Sequence, residues 1–482
     1  EVSNETYLGL ADPDFGLHPY MRYRASQLDR ITAQHSQIQF SHAVTVSRSF
    51  DVTSTVYRNG FRRNWYKLDR VAGQTIGSIL EDPETFNREF ALLTARDSEP
   101  GVYGIKANNR SYGSFGFQSV GRLKSAFGPL YHRVSVGWRI HRDYEDRFQW
   151  VDAYGMAGGT LILTGEGEPG SDANRRSSAQ ATALFLLDQV TFKNFLVTFG
   201  LRSESIHYTR IDWGPDDLER ATSGNPERTV VTVLLPGMGL HYRVNASLRV
   251  FGGLHKGFSP PGPRKGEERY RAEESVNLEL GARYRSGPTQ LQLLGFFNRH
   301  YNLLGADLLA VGGEGSGDLY NGGEVWIHGL EVLTETRTDV GRRVEIPVSF
   351  SYTYTRGEFK TSFQSDYGPW GTVKAGYQLP YLPGHQLYLN VGMELSRWTT
   401  SFGARYTGAM RSRAGRGEVS RRERIDGHLV LDISSRYSIN GSVRMVFNVL
   451  NATNRTYIAA RRPAGVRPGL PRTVLAGIQV DL

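Results

Sequence analysis

The strongest constraint on the fold is a period of two in hydrophobicity near the end of the chain. Apolar side chains alternate with more polar ones from Val443 to Val449, and again from Val474 to Leu482. Successive side chains of a β-strand point to opposite faces, so each segment predicts a strand with one apolar and one polar face. Strands of this kind are typical of barrels that cross a lipid bilayer. The pattern therefore predicts an all-β fold, a transmembrane antiparallel β-barrel.

The composition supports a membrane barrel and argues against membrane-spanning helices. Hydrophobic residues make up 39% of the chain, its mean hydropathy is -0.41, and no stretch approaches the roughly 18 uninterrupted apolar residues of a spanning helix. The 55 glycines and 25 tyrosines suit many turns and aromatic girdles. Cysteine is absent, which excludes disulfides and thiol chemistry. The net charge of +9 is scattered along the chain, so it does not indicate nucleic-acid binding.

Segments with this alternation predict about 17 strands, the first near residues 36 to 48 and the last near 472 to 482. Short links such as 127–129 alternate with long ones such as 66–110 and 145–176. Outer-membrane barrels have short turns on the periplasmic side and long loops outside. We therefore expect a periplasmic C-terminus and, because the strand count is odd, an extracellular loop over residues 1 to 35. Since a native outer-membrane chain starts in the periplasm, we also expect the sequence to be part of a longer barrel.

The polar face of the predicted strands is rich in charges of both signs. A charged side chain facing lipid at mid-bilayer costs roughly 2 to 4 kcal/mol, so we expect these residues to line the lumen. They include Arg139, Arg202, Glu204, Glu279, Arg283, Glu394 and Arg436. Two interpretations stay open: the charges hold neighbouring strands together in a water-filled channel, or they face a polar internal domain.

A series of distinctive motifs runs along the chain: residues 3–10 (SNETYLGL), 63–68 (RNWYKL), 256–261 (KGFSPP), 379–383 (LPYLP), and 448–451 with 454–457 (NVLN, NRTY). In this order, they resemble motifs of the TonB-dependent outer-membrane receptors, in particular the ferric-dicitrate transporter branch. The resemblance runs over essentially the whole chain and implies a 22-stranded barrel with an N-terminal plug and a TonB box. The chain, residues 1 to 482, would then be a partial barrel domain that lacks the plug and the first five strands. The final Leu482 departs from the aromatic residue that usually ends such barrels.

The resemblance also implies a function: TonB-energised uptake of a ferric chelate, ferric citrate or another siderophore, through the outer membrane of a Gram-negative bacterium. The partners would be the chelate, the TonB complex reached through the missing N-terminal region, and outer-membrane lipid. Guanidinium groups bind carboxylates bidentately, so arginines near the outer strand ends are the candidate ligands of an anionic chelate. The candidate binding residues are Arg62, Arg63, Arg110, Arg175, Arg176, Lys256 and Arg299. Each could equally be a solvated loop charge, and the hypothesis needs them to converge on one pocket.

No motif in the sequence predicts catalysis or a resident cofactor. The twelve histidines show no HExxH or other metal-ligand spacing, and no serine lies in a G-x-S-x-G elbow. We therefore expect no enzyme activity, no protein metal site, and iron only as part of the transported chelate. The alternatives that remain open are a passive porin-like or adhesive barrel, a TonB-dependent receptor for another substrate, and a soluble all-β domain that binds or hydrolyses glycans.

Overall fold

A computed structural model describes residues 1–3, 6–260, 272–306, 319–341 and 343–481 of the protein. Asn4 and Glu5 of the first motif lie outside these residues. One large antiparallel sheet dominates the described structure. Its seventeen long strands are β1 (Arg30–Thr45), β2 (Phe50–Val71), β3 (Tyr103–Phe127), β4 (Leu130–Ala157), β5 (Ala173–Phe192), β6 (Phe195–Asp212), β7 (Asn225–Arg243), β8 (Leu248–Ser259), β9 (Glu273–Ser286), β10 (Thr289–Tyr301), β11 (Val325–Val340), β12 (Val344–Phe359), β13 (His385–Glu394), β14 (Trp398–Thr407), β15 (His428–Ser438), β16 (Val443–Leu450) and β17 (Thr473–Val480).

Each long strand pairs with its neighbours in the sequence, so the sheet is a continuous meander. The all-β antiparallel fold is confirmed, and each predicted strand segment overlaps one strand of the sheet. At the two ends, β17 pairs with β16, and β1 pairs with β2 and with the short strand Val2–Ser3. No pairing between β1 and β17 occurs in the described part of the chain.

Short and long connections alternate between the two ends of the sheet. The short ones hold two to four residues, and in two of them Gly128 and Gly287 adopt positive φ angles of 54° and 53°, which glycine tolerates without a steric penalty. The long ones hold twelve or more residues. Residues 72–102 and 158–172 lie together at the long-connection end, where the Gly101 backbone N–H donates to Thr164 Oγ1 at 3.1 Å. This arrangement agrees with the predicted placement of these two connections on one side.

The remaining elements are short and belong to the connections. The helices are α1 (Asp12–Leu17), α2 (Ile76–Glu81) and α3 (Asn87–Leu92), with a 3-10 turn at Arg24–Ser26. The short strands are Val2–Ser3, Gln74–Thr75, Thr160–Gly165, Leu304–Ala306, Leu319–Asn321, Phe363–Gln364, Thr372–Val373, Met410–Arg411, Arg424–Ile425, Ile458–Ala460 and Arg467–Pro468. In the described residues, no helix has the length and hydropathy needed to cross a membrane.

The segment before β1 packs over the outer ends of β2, β3 and β4. Tyr23 and Leu93 are buried there together with Ile105 of β3, and we call this packed group the outer layer. The same segment reaches the last long connection, where the Leu10 N–H donates to Val466 O at 2.8 Å. Only glycine fits at position 9, because a Cβ there would lie 2.6 Å from the backbone of residue 465. The strand begins at Arg30, so the predicted loop over residues 1 to 35 ends earlier than expected.

Candidate ligand-binding site

The long strands carry two chemically distinct faces, and exposure distinguishes them. We call the face that bears Tyr57, Arg139 and Glu204 the polar face, and the opposite one, which bears Trp138 and Leu184, the apolar face. The two apolar side chains are 41% and 56% exposed. A band of exposed apolar side chains on one face is what a lipid-facing surface requires, so the polar face is the lumen side.

Four arginines lie side by side on the polar face, one on each of four consecutive strands. The register of the sheet places Arg63 opposite Arg110, Arg110 opposite Arg147, and Arg147 opposite Arg175. We call these four the polar-face arginine row. The sequence predicted three of its members, and the structure brings them together. The sequence analysis did not predict Arg147, because this residue fell in a predicted loop. It also did not predict Arg210, which lies on the same face in β6.

Ion pairs and burial fix the geometry of this row. Arg110 Nη1 and Arg147 Nε each lie 3.0 Å from Glu145 Oε1, and both arginines are only 5% exposed. Arg110 Nε also donates to Asn108 Oδ1 at 2.8 Å. The two Arg110 contacts are charge-assisted hydrogen bonds, which are short and directional, whereas Arg147 Nε contacts the same carboxylate as an ion pair. Burial and the shared carboxylate hold the two guanidinium groups in place.

The row carries an excess of positive charge. On β6, Arg210 Nη2 lies 3.2 Å from Asp212 Oδ2, and the register places Glu227 of β7 opposite Arg210. Together with Glu145, three carboxylates thus accompany the four arginines of the row and Arg210. Positive charges exceed negative ones by two in this part of the polar face, which favours an anionic ligand.

Further from the outer end, the polar face continues as a network of paired polar groups. Arg139 Nη2 donates to Tyr57 Oη at 2.7 Å, and the same hydroxyl is 2.7 Å from His141 Nδ1. On β6, Arg202 bonds Glu204 through two nitrogens at 2.8 and 2.7 Å. These predicted lumen residues therefore hold neighbouring side chains in place, and they extend the polar surface along the strands.

The other four predicted site residues do not join the row. Arg62 precedes Arg63 in β2, and Arg176 follows Arg175 in β5. Because neighbouring side chains of a strand point to opposite faces, Arg62 and Arg176 point to the apolar face. Lys256 and Arg299 lie on β8 and β10, strands that do not neighbour the row. Lys256 Nζ is 2.9 Å from a Glu274 carboxylate oxygen, and Arg299 Nε is 2.8 Å from Glu324 Oε1.

Aromatic side chains of the outer layer cover the polar face just beyond the row. The Lys67 ammonium group lies 3.7 Å from the centre of the Tyr7 ring, and that ring meets Trp65 edge to face at 5.7 Å. Trp370 instead packs with Tyr367 in a separate loop cluster between β12 and β13. Tyr7 and Trp65 are thus the aromatic side chains that cover the polar face beside the row.

Nothing in the described residues offers a site for a resident metal ion: no three His, Asp or Glu side chains converge on one point. The chemistry that the polar-face arginine row offers is recognition of an anion by guanidinium groups. An iron chelate would enter as cargo rather than as a cofactor.

Comparison with known proteins places this fold in a family. Residues 4–452 match the family model described as TonB dependent receptor-like, beta-barrel. Because the match spans most of the chain, the protein belongs to the TonB-dependent receptor family, whose members are outer-membrane receptors and transporters of Gram-negative bacteria rather than enzymes.

Solved structures with the same fold are distant in sequence. The ferric-catecholate import receptor Fiu from E. coli K12, in its closed form, has 16% identity and a TM-score of 0.71, with 98% of this chain and 68% of that chain covered. The ferric citrate transporter FecA, unliganded, has 18% identity, a TM-score of 0.69 and coverages of 98% and 65%. The siderophore receptor PiuA from Acinetobacter baumannii has 14% identity, a TM-score of 0.72 and coverages of 94% and 65%. The chain thus spans about two thirds of the length of these proteins, and the similarity shows the fold alone.

Proposed function

We propose that the protein takes up an anionic ferric chelate, such as ferric citrate or another siderophore complex, across the outer membrane, with energy supplied by the TonB complex. The observation that carries this proposal is the polar-face arginine row, which gathers excess positive charge on the lumen side at the outer end of the barrel. Three relatives of the same fold are named as receptors or transporters of iron complexes, which supports iron as the cargo.

The members of the polar-face arginine row differ in burial and therefore in how they can contact a ligand. Arg110 and Arg147 are buried and share Glu145, so they form the fixed part of the row. Arg63 is partly exposed and donates to the Tyr112 hydroxyl at 3.5 Å, a long bond that a carboxylate would replace readily. Arg63 is therefore the member of the row best placed to contact an incoming chelate.

The test is a double variant, Arg63→Gln with Arg175→Gln, that leaves Arg110, Arg147 and Glu145 intact. Each lost charge-assisted contact is worth roughly 1.5 to 3 kcal/mol, so we expect at least a tenfold loss of affinity per contact. Binding is measured by quenching of tryptophan fluorescence as ferric dicitrate, then a ferric catecholate and a ferric hydroxamate, is added to the detergent-solubilised protein.

The matched control is Arg62→Gln with Arg176→Gln, which removes the same charge from the same strands but from the apolar face. We expect this control to bind the chelate like the unaltered protein. Equal loss in both variants would reduce the effect to general electrostatics, and equal affinity in all three proteins would refute the row as the site. Measuring iron uptake with and without TonB separates an energised receptor from a passive barrel.

A further inference from the structure

A second group of arginines lies on the apolar face, around a cavity in the described part of the sheet. The cavity has a volume of about 1090 Å³ and spans the outer halves of β1 to β6. Four exposed arginines line it: Arg58, Arg62, Arg142 and Arg176. We call them the apolar-face arginine cluster. Most of the other lining side chains, including Tyr144 and Gln180, belong to the same face.

The cluster begins where the band of apolar side chains ends. One row across the sheet joins Val56, Phe117 and Ile140 of β2, β3 and β4. The next row outward on the same face joins Arg58, Phe115, Arg142, Gln180 and His207. Rows on one face of a strand are about 7 Å apart. If the apolar rows lie in lipid, the arginines lie at the depth of the lipid headgroups.

These arginines have no acidic partner, which distinguishes them from the buried row. Within the described part of the chain, no ion pair involves any of the four. The nearest carboxylate on this face, Asp146, already bonds both terminal nitrogens of Arg220, at 2.9 and 2.8 Å. Asp143 of the polar face also lines the cavity, so the four arginines present an excess positive charge of three beside a lipid-facing surface.

Part of the cluster is preorganised. The Arg176 guanidinium group lies 4.3 Å from the centre of the Tyr144 ring. Tyr144 can lie across the neighbouring strand because that strand has glycine at position 113, where a Cβ would come within 2.4 Å of the ring. A stacked guanidinium group has less freedom to lose when it binds an anion.

We infer that the apolar-face arginine cluster binds the phosphate-bearing headgroup of an outer-leaflet lipid. Arginine is the side chain best suited to bidentate phosphate contacts, and four unpaired arginines complement a headgroup with more than one phosphate. The hydroxyl and amide groups of Tyr144, Ser178 and Gln180 suit a headgroup that also carries hydroxyls. The continuity of the cluster with the apolar band selects a lipid rather than a soluble anion, since the acyl chains would lie on that band.

The experiment measures binding of diphosphorylated lipid A to the full chain in dodecyl maltoside by native mass spectrometry. The reference ligand is the same glycolipid without its phosphates. We expect the phosphorylated form to bind at least tenfold more tightly. The quadruple variant with Arg58, Arg62, Arg142 and Arg176 changed to Gln should lose about 600-fold in affinity for it, because each basic residue near a membrane surface contributes about fivefold. A variant with the same four arginines changed to Lys should have an affinity between those of the unaltered protein and the quadruple Gln variant. Lysine keeps the positive charge but cannot make the bidentate contacts of a guanidinium group.

A control variant changes four exposed arginines elsewhere to Gln and alters the net charge equally: Arg48, Arg397, Arg416 and Arg421. It should bind the lipid like the unaltered protein. Equal loss in the control, unchanged affinity of the quadruple variant, or displacement of the lipid by inorganic phosphate or by ferric dicitrate would each overturn the inference.

A second measurement does not depend on the folding of the quadruple variant. Lipid brominated along its acyl chains should quench the fluorescence of Trp138, which lies on the apolar face. The quenching of Trp138 is the difference between the fluorescence lost by the unaltered protein and the fluorescence lost by the Trp138→Phe variant. Absence of this difference would show that the face does not meet lipid and would also overturn the inference. Chelate binding by the polar-face row is measured separately, so either proposal can fail without the other.

Discussion

The two groups of arginines occupy the same strands but are stabilised in opposite ways. In the polar-face row, Arg110 and Arg147 are buried and share a carboxylate, whereas Arg62 and Arg142 on the apolar face are exposed and have no acidic partner in the described residues. Burying an unpaired charge is costly, so a buried arginine must bring a carboxylate with it. An exposed arginine needs none, because water or a headgroup solvates it.

The comparison shows what each group can do. Arg110 and Arg147 of the polar-face row are buried and fixed, and the excess charge of two around the row is available only to a ligand that reaches the lumen. The exposed cluster keeps its full charge and contributes little to folding. Removing one carboxylate from the buried row should therefore affect stability, whereas changing the exposed cluster should affect association. The predictions below test this division.

The largest effect is expected from Glu145→Gln. This change leaves Arg110 and Arg147 buried without their shared counter-charge, which should lower the free energy of unfolding by about 3 to 5 kcal/mol. Asp51→Asn is the matched control, since Asp51 pairs at 3.1 Å with Arg122 on the surface and should cost less than about 1 kcal/mol. Urea unfolding followed by tryptophan fluorescence gives both values. Equal losses would remove the distinction between buried and exposed pairs.

A smaller effect concerns a buried carboxylate of the outer layer. Burial raises the pKa of Asp29 from 3.8 to about 6, although Thr6 Oγ1 and the Leu68 N–H both donate to it. The raised pKa means that the packed layer favours the protonated carboxyl. Its contribution is complete below pH 4 and is lost as the pH rises through 6. The shift corresponds to at most about 3 kcal/mol.

Hydrogen exchange in the outer layer measures this dependence. Protection should fall between pH 4 and pH 6, after correction for the intrinsic exchange rate, and Asp29→Asn should abolish the fall because the amide cannot ionise. Asp82 is the control: a hydrogen bond from Thr85 lowers its pKa, so Asp82→Asn should leave this window unchanged. A pH-independent layer in the unaltered protein would contradict the assignment.

Much of the fold could be predicted from the sequence, because the lipid band imposes alternation on every strand. The same rule explains what was missed. The sequence predicts a long connection over residues 145–176, but β4 extends to Ala157 in the structure, and Arg147 lies in the added part of the strand. From Asp143 onward both faces of β4 carry charged or aromatic residues, so apolar alternation stops although the strand continues. The sequence pattern therefore reports contact with lipid rather than the length of the strand.

The site was only partly predictable. Arg62 and Arg63 are adjacent in one strand, so the period of two alone places them on opposite faces, and grouping them in one site ignored this rule. By contrast, no local pattern links the segment before β1 with the last long connection. Its contacts, such as the ion pair between Asp12 and Arg461 at 2.9 Å, join residues at opposite ends of the sequence. Contacts of this kind follow from the packing of segments that are distant in the sequence and not from periodicity.

The smallest predicted effect tests whether the exposed cluster is preorganised at all. Tyr144→Leu removes the ring under Arg176, and Gly113→Ala displaces the same ring without changing its chemistry. A cation–π contact at an exposed site is worth about 0.5 to 1 kcal/mol, so each variant should weaken binding of diphosphorylated lipid A by about two- to fivefold. Because both changes act through one contact, the double variant should be no weaker than either single one. Gly477→Ala, at a position where a Cβ meets nothing within 4 Å, should have no effect. Additive losses in the double variant would show that Gly113 and Tyr144 act independently and that the stacked arginine has no special role in the cluster.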